Sequence, residues 1–88
     1  MNKMEDIRNL RKKIDEVDEQ ILLALGERTK LCTTIGLIKK KQGLPIKDRD
    51  REKELHTRII KRAASLKLDT NPVEAFYRHV VEMCTSVQ

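Results

Sequence analysis

The chain has 88 residues, a formal net charge of +5 and 38% charged residues. A domain of this length buries only about 60 to 65% of its unfolded surface, so its core is expected to be thin and to benefit from association. The basic balance suits anionic partners, but acidic and basic residues are interleaved, and Phe76 and Tyr77 are the only aromatic residues. Because RNA and single-strand readers usually stack bases on aromatic rings, the composition argues against nucleic-acid binding.

The cysteines, the histidines and the amino terminus bear on compartment and cofactors. Cys32 and Cys84 lack metal-ligand spacing, and without a secretory leader in MNKMEDIRN they are predicted to be reduced thiols in a cytoplasmic protein. His56 and His79 are equally isolated, so no metal or other cofactor is expected. No run of about eighteen apolar residues occurs, and no membrane span is predicted.

The first element in chain order is a long helix predicted over residues 5–42. Apolar residues recur every three or four positions from Ile7 to Ile38, which is the spacing of one helix face. A helix of this length extends roughly 55 Å, and the two later helices are too short to cover its whole apolar stripe. A second copy of the same chain is the simplest cover, so the sequence predicts an intertwined helical homodimer.

Arg28 interrupts that apolar stripe. A permanently charged group at such a position costs folding energy unless an anionic or polar group meets it. Cys32, Ile35 and Lys39 follow Arg28 on the same face, so the two cations are predicted to flank a small pocket floored by Cys32 and Ile35. The alternative is that Arg28 pairs with a carboxylate of a neighbouring helix and Lys39 simply extends into solvent.

A second helix is predicted over residues 49–66, after a turn at Gly43 and Pro45 that ends the first. Asp48 is the expected amino-terminal cap, and Arg51 and Glu52 fall in the first turn beside the loop. This cluster is either part of a functional site or an ordinary charged helix start. The predicted buried stripe of this helix comprises Leu55, Ile59, Ala63 and Leu66.

The third helix is predicted over residues 72–87, with Asn71 as its cap and Pro72 at its first position. Gln88 is expected to be a frayed terminal residue unless a partner group holds it. No strand pattern or repeat occurs, so the fold class is all-α, with residues 1–88 as a single domain of one long and two shorter helices.

Five segments in order make the chain resemble the all-helical class of chorismate mutases over nearly its whole length. They are residues 11–18 (RKKIDEVD), 25–28 (LGER), 35–39 (IGLIK), 45–52 (PIKDRDRE) and 82–88 (EMCTSVQ). The resemblance implies a homodimer whose long first helices cross, with two active sites that each use both chains. It also implies the rearrangement of chorismate to prephenate in phenylalanine and tyrosine biosynthesis.

The resemblance further implies the role of each matching residue. Arg11 of one subunit and Arg28 of the other would bind the two carboxylates of chorismate, and Lys39 and Gln88 would donate hydrogen bonds to its ether oxygen. The remaining matches are Glu52, which would accept from the ring hydroxyl, Asp48 beside it, Arg51 on the polar rim, and Cys84, where relatives commonly have a serine that helps to hold a carboxylate.

A geometric point agrees with the shared site. Arg11 and Arg28 are 17 residues apart in the sequence, or roughly 25 Å along one helix, too far to clamp one small molecule within a single chain. An intramolecular rearrangement needs no nucleophile, and none is arranged here. The alternatives are an isochorismate-pyruvate lyase on the same scaffold and a non-catalytic helical regulatory dimer. Cys32 and Cys84 are expected to face the pocket, where thiol alkylation would slow the enzyme.

Overall fold

The computed structural model describes residues 2–88. Its elements are three helices, α1 (Lys3–Gln42), α2 (Arg49–Ser65) and α3 (Thr70–Val87), and the predicted all-α fold is confirmed. α3 packs against both α1 and α2. The longest dimension of the molecule, 61 Å, matches the length of roughly 60 Å that an α-helix as long as α1 spans.

Side-chain and glycine caps fix both ends of α1. The side chain of Asn2 accepts a hydrogen bond from the backbone N–H of Glu5 at 2.8 Å, so α1 begins earlier than the predicted residue 5. At the other end Gly43 adopts the left-handed conformation with φ of 68°, as its position after the last helical residue predicts. The backbone N–H of Leu44 then donates to the carbonyl of Lys39 at 2.9 Å.

Aspartates cap the other two helices. Asp48 accepts from the N–H of Arg51 at 3.0 Å, as predicted for the start of α2. At α3 the predicted cap, Asn71, is wrong, because Asp69 fills that role and accepts from the N–H of Asn71 at 3.1 Å. Pro72 is thereby moved to the third helical position, where its missing N–H still costs no intrahelical bond.

The core is as thin as the chain length suggests. The buried apolar residues are Cys32, Leu55, Ala63 and Val80. In α2, Ile59 is partly buried, whereas the predicted burial of Leu66 is wrong, since it lies beyond the end of the helix and is 52% exposed.

A disulfide joins Cys32 of α1 to Cys84 of α3. The prediction of two reduced thiols is therefore wrong for this structure, because packing of the two helices brings the Cα atoms to 5.2 Å, within the range that a disulfide spans. The bond closes a segment of 52 residues, and a cross-link of that length stabilises the folded state by about 4 kcal/mol in the chain-entropy model. Such a contribution is large beside so small a core.

Gly36 allows the end of α3 to pack closely against α1. A Cβ atom added to Gly36 would lie 2.6 Å from the Cα atom of Gln88, a distance that neither backbone tolerates. Gly36 therefore permits the close approach of another helix, and the approaching backbone is the end of α3.

The amino-terminal half of α1 contacts neither of the other helices closely. Every residue from 3 to 24 is exposed. The exposed residues of the apolar stripe in this half are Ile7, Leu10, Ile14, Val17 and Ile21. Within residues 2–88 no helix is both long enough and apolar enough to cross a membrane.

Candidate active site

A cavity of about 330 Å³ lies where the carboxy-terminal half of α1, the start of α2 and the end of α3 meet. It collects seven of the eight residues that the sequence singled out: Arg28, Lys39, Asp48, Arg51, Glu52, Cys84 and Gln88. The walls between them include the aliphatic side chains of Leu55 and Val81. The volume falls in the range of small-molecule sites, and few polar groups converge on an otherwise apolar space.

A second, larger cavity of about 670 Å³ runs between α2 and α3. Three of its polar groups pair with one another, since Glu74 contacts both His56 at 3.2 Å and Arg78 at 3.6 Å. The smaller cavity differs because two of its cations, Arg28 and Lys39, have no carboxylate partner within residues 2–88. We therefore assign the candidate active site to the smaller cavity and call it the Arg28–Lys39 pocket.

Arg28 is partly buried on α1 and makes only weak contacts with the protein. Its Nη1 atom donates to the carbonyl of Val80 at 3.5 Å and lies 3.8 Å from the Sγ atom of Cys32. Within residues 2–88 no carboxylate approaches it within 4.0 Å. The alternative of an Arg28 neutralised by a neighbouring helix is thus not what the structure shows, and its charge is available to an anion.

Lys39 connects α1 to the loop before α2 and to the end of α3. Its Nζ atom donates to the carbonyl of Ile46 at 2.6 Å and to Oε1 of Gln88 at 2.7 Å. Gln88 is consequently held in place rather than frayed. Because an ammonium group can only donate, the amide oxygen of Gln88 must face Lys39, and its NH₂ group points the other way.

Counting donors shows what remains for a ligand. An ammonium group has three N–H donors, and Lys39 uses two of them on Ile46 and Gln88. The amide of Gln88 has two donors, one of which is directed to the Sγ atom of Cys84 at 3.1 Å. One donor on each side chain is left without a protein partner within residues 2–88, and both residues line the pocket.

The start of α2 supplies the opposite wall. Asp48 caps the helix with its side chain, and Glu52 is partly buried where it lines the pocket. Arg51 also lines the cavity, while its guanidinium pairs with the exposed Glu54 at 2.8 Å. The charged helix start therefore does face the pocket.

Two predicted site residues depart from their expected setting. Cys84 is in the disulfide, so its sulfur has no hydrogen to donate, and a serine-like donor role for it is lost in this form. Arg11 is exposed on the open half of α1 and is not among the residues of the Arg28–Lys39 pocket. α1 is unbroken between Arg11 and Arg28, so no bend of the helix brings them together.

Three features of the pocket were missed or only half seen in the sequence. The carbonyl of Ile46 binds Lys39, and no side-chain pattern signals a backbone acceptor in a loop. The contact of Gly36 with Gln88 depends on how α1 and α3 pack, which the sequence alone does not show. The signal for the disulfide was the expectation that both Cys32 and Cys84 face the pocket.

Comparisons with known proteins bear on this pocket. Residues 10–88 match the family model described as chorismate mutase type II. The chain is 40% identical over 97% of its length to a bifunctional chorismate mutase/prephenate dehydratase of Aquifex aeolicus, of which it spans only 24%. It is 34% identical over 97% of its length to a chorismate mutase of Methanocaldococcus jannaschii, of which it spans 86%. A solved structure, a conserved hypothetical protein from Pyrococcus furiosus, has a TM-score of 0.71 and 30% identity, with 93% of each chain covered.

Proposed function

The chain belongs to the chorismate mutase type II family, and we propose that it catalyses the rearrangement of chorismate to prephenate, the step that leads toward phenylalanine and tyrosine. One observation carries the proposal. Arg28 and Lys39, which have no carboxylate partner within residues 2–88, line one cavity with a Gln88 amide that Lys39 holds.

Binding of the substrate is the first requirement. Chorismate is a dianion, and the reaction needs the compact conformer in which the bond-forming carbons meet. A guanidinium group binds a carboxylate through two parallel hydrogen bonds and so fixes orientation as well as position. Arg28 supplies one such group, and a second at the far end of the substrate would complete the clamp and hold the reacting atoms together.

The second arginine is proposed to come from another copy of the chain. The apolar stripe on the amino-terminal half of α1 is exposed from Ile7 to Ile21, and a soluble monomer rarely leaves so long a contiguous apolar surface uncovered. Arg11 lies on the same half. Antiparallel crossing of two α1 helices would cover the stripes and bring Arg11 of the partner subunit to the open side of the Arg28–Lys39 pocket.

The chemical step requires stabilisation of the ether oxygen. As its bond to carbon breaks and the new carbon–carbon bond forms, negative charge grows on that oxygen. Donors that are already in place stabilise this charge without reorganisation. The free donors of Lys39 and Gln88 suit this role, and their mutual hydrogen bond at 2.7 Å fixes both groups before substrate arrives.

The remaining residues are proposed to recognise the ring. Glu52 would accept a hydrogen bond from the ring hydroxyl, with the carboxylate of Asp48 nearby on the same wall. Arg51 would contribute positive charge at the rim. None of these groups has to exchange a proton with the substrate, which agrees with an intramolecular reaction.

The test is an assay of purified protein with chorismate, with the product identified as prephenate by NMR. Lys39→Ala should lower kcat by about 10²- to 10³-fold, the usual cost of removing one donor to a developing oxyanion. Lys40→Ala, an exposed neighbour on α1, is the matched control and should retain activity.

Release of pyruvate from isochorismate instead would indicate a lyase. Absence of chorismate and prephenate binding in calorimetry would indicate a non-catalytic dimer.

A further inference from the structure

The disulfide between Cys32 and Cys84 lies directly beneath the donors of the Arg28–Lys39 pocket. We propose that it is a positioning cross-link that holds Gln88 against Lys39, and that its reduction by a small-molecule thiol lowers the rate of the chemical step. This inference rests on the proposed function for its kinetic part. Its structural part, the control of Gln88 by a redox bond, stands on the contacts alone.

Gln88 depends on few other contacts for its position. It lies just past α3, and its backbone N–H makes one hydrogen bond, to the carbonyl of Thr85 at 3.2 Å. The disulfide fastens α3 to α1 one helical turn before Gln88, and the side-chain amide donates to the bonded sulfur of Cys84 at 3.1 Å. The cross-link and this contact together limit where the amide can move.

Reduction removes that constraint. Two molecules of thiol supply two electrons and two protons, the S–S bond breaks, Cys32 and Cys84 each gain a hydrogen, and the two thiols leave as one disulfide. Sulfur atoms that are no longer bonded cannot remain at bonding distance, so the side chains of Cys32 and Cys84 separate, and the sulfur that accepts from the Gln88 amide leaves its place. The amide of Gln88 then loses a fixed acceptor, and the end of α3 loses its covalent link to α1, so Gln88 is less restrained against Lys39.

The pocket also provides the route for the reductant. Both cysteines line the open cavity, but Cys32 is only 4% exposed, whereas Cys84 is partly exposed. A thiolate would therefore attack the sulfur of Cys84 and release Cys32. Substrate in the pocket would cover that sulfur, so bound chorismate or a stable dicarboxylate mimic should slow reduction. The cytoplasmic location stays a prediction. In a reducing compartment the disulfide would be exposed to thiol reductants, so the reduced form of the enzyme would matter there.

The effect should divide unequally between the kinetic constants. Arg28 contacts the Sγ atom of Cys32 and the carbonyl of Val80 on α3, so reduction is expected to change KM as well, but by less than it changes kcat. Gln88 acts on the breaking bond, so kcat should fall by about tenfold, which is 1.4 kcal/mol of transition-state stabilisation. If the cross-link were merely structural, its reduction would lower the thermal midpoint of unfolding and leave kcat of the folded enzyme unchanged.

The experiment equilibrates the protein in buffers of different reduced-to-oxidised glutathione ratio, traps thiols by alkylation and measures the modified fraction by intact mass. kcat and KM are measured on the same samples. The Cys32→Ser/Cys84→Ser double variant should not respond to the ratio. Gln88→Ala should have low kcat in both redox states, because the cross-link acts through the missing amide. Equal kcat in the oxidised and reduced wild type, or a further tenfold loss when Gln88→Ala is reduced, would overturn the inference.

A readout without activity separates this inference from the proposed function. Amide hydrogen exchange in the last turn of α3 should be faster in the reduced protein than in the oxidised protein. If neither form converts chorismate, the proposed function fails, and faster exchange in the reduced form still supports the positioning role. Free thiols at every glutathione ratio, or equal exchange in the two forms, would overturn the inference whatever the activity.

Discussion

The two halves of α1 follow the same sequence pattern but have different surroundings. From residue 25 to residue 42 the helix packs on α3, buries Cys32 and Gly36, and forms one wall of a pocket. From residue 3 to residue 24 every residue is exposed. An apolar stripe thus indicates that a helix face is to be covered, and it does not indicate by which chain. The open half is the part that a second copy is proposed to cover.

The two arginines show the same difference at the level of single side chains. Arg28 is partly buried and faces the pocket, whereas Arg11 is exposed and lies outside it. Considered within one chain, Arg11 resembles any surface arginine. The proposed function gives it a role equal to that of Arg28, because a shared site makes the open half of α1 part of the active site of another subunit.

The most disruptive test of this comparison places a charge in the open stripe. Ile14→Glu should abolish the dimer and with it nearly all activity, because burying an unpaired carboxylate in an apolar interface is strongly unfavourable. Each pocket would then lack the second arginine. Sedimentation velocity and the chorismate assay measure the two effects.

Lys12→Glu is the matched control, since it introduces the same side chain on the opposite face of the helix. It should remain dimeric and active. A monomeric or inactive Lys12→Glu variant, or a dimeric Ile14→Glu variant with full activity, would contradict the assignment of the interface to this stripe.

A smaller change removes the proposed clamp and keeps the dimer. Arg11→Ala should lower kcat/KM by on the order of 10²- to 10³-fold, because one carboxylate of the substrate loses its charged partner and its orientation. Arg8→Ala, an exposed arginine in the same half of α1, should have little effect. If the two variants were equally active, Arg11 would be an ordinary surface residue.

Substitutions of two glycines test the packing of α1 between residues 25 and 42. Gly36→Ala should destabilise the protein by about 1 to 3 kcal/mol, as overpacking does, and should lower kcat by displacing Gln88. Gly26→Ala should stabilise it by up to about 1 kcal/mol, because an added Cβ there has no neighbour within 4 Å. Thermal unfolding measures both. A neutral Gly36→Ala would show that the contact between α1 and Gln88 is looser than the structure has it.

Local rules sufficed for most of the fold. The helix type, the turn at Gly43 and the cap at Asp48 follow from residues close together in sequence. The cap of α3 was placed wrongly because Asn71 and Asp69 both precede a helical pattern and differ only in the path that the loop takes. Caps of similar chemistry two residues apart are not distinguished by their side chains alone.

The site residues that match the family motifs could be predicted from the sequence. The contacts that depend on the path of the backbone could not. The family motifs named Lys39 and Gln88, and the structure brings them within 2.7 Å of each other. The carbonyl of Ile46 and the disulfide depend on where a loop and a helix end come to rest. The role of Arg11 depends on a second chain, so it stays a prediction.

Subunit mixing tests the central claim, that each active site is built from both halves of α1 in two different chains. Arg11→Ala and Arg28→Ala homodimers are each defective at both sites, while a heterodimer of the two regains one intact site. Random exchange of equal amounts makes half of the dimers heterodimers, so about a quarter of wild-type activity should return. Activity that stays at the level of the two separate variants after verified exchange would contradict the shared site.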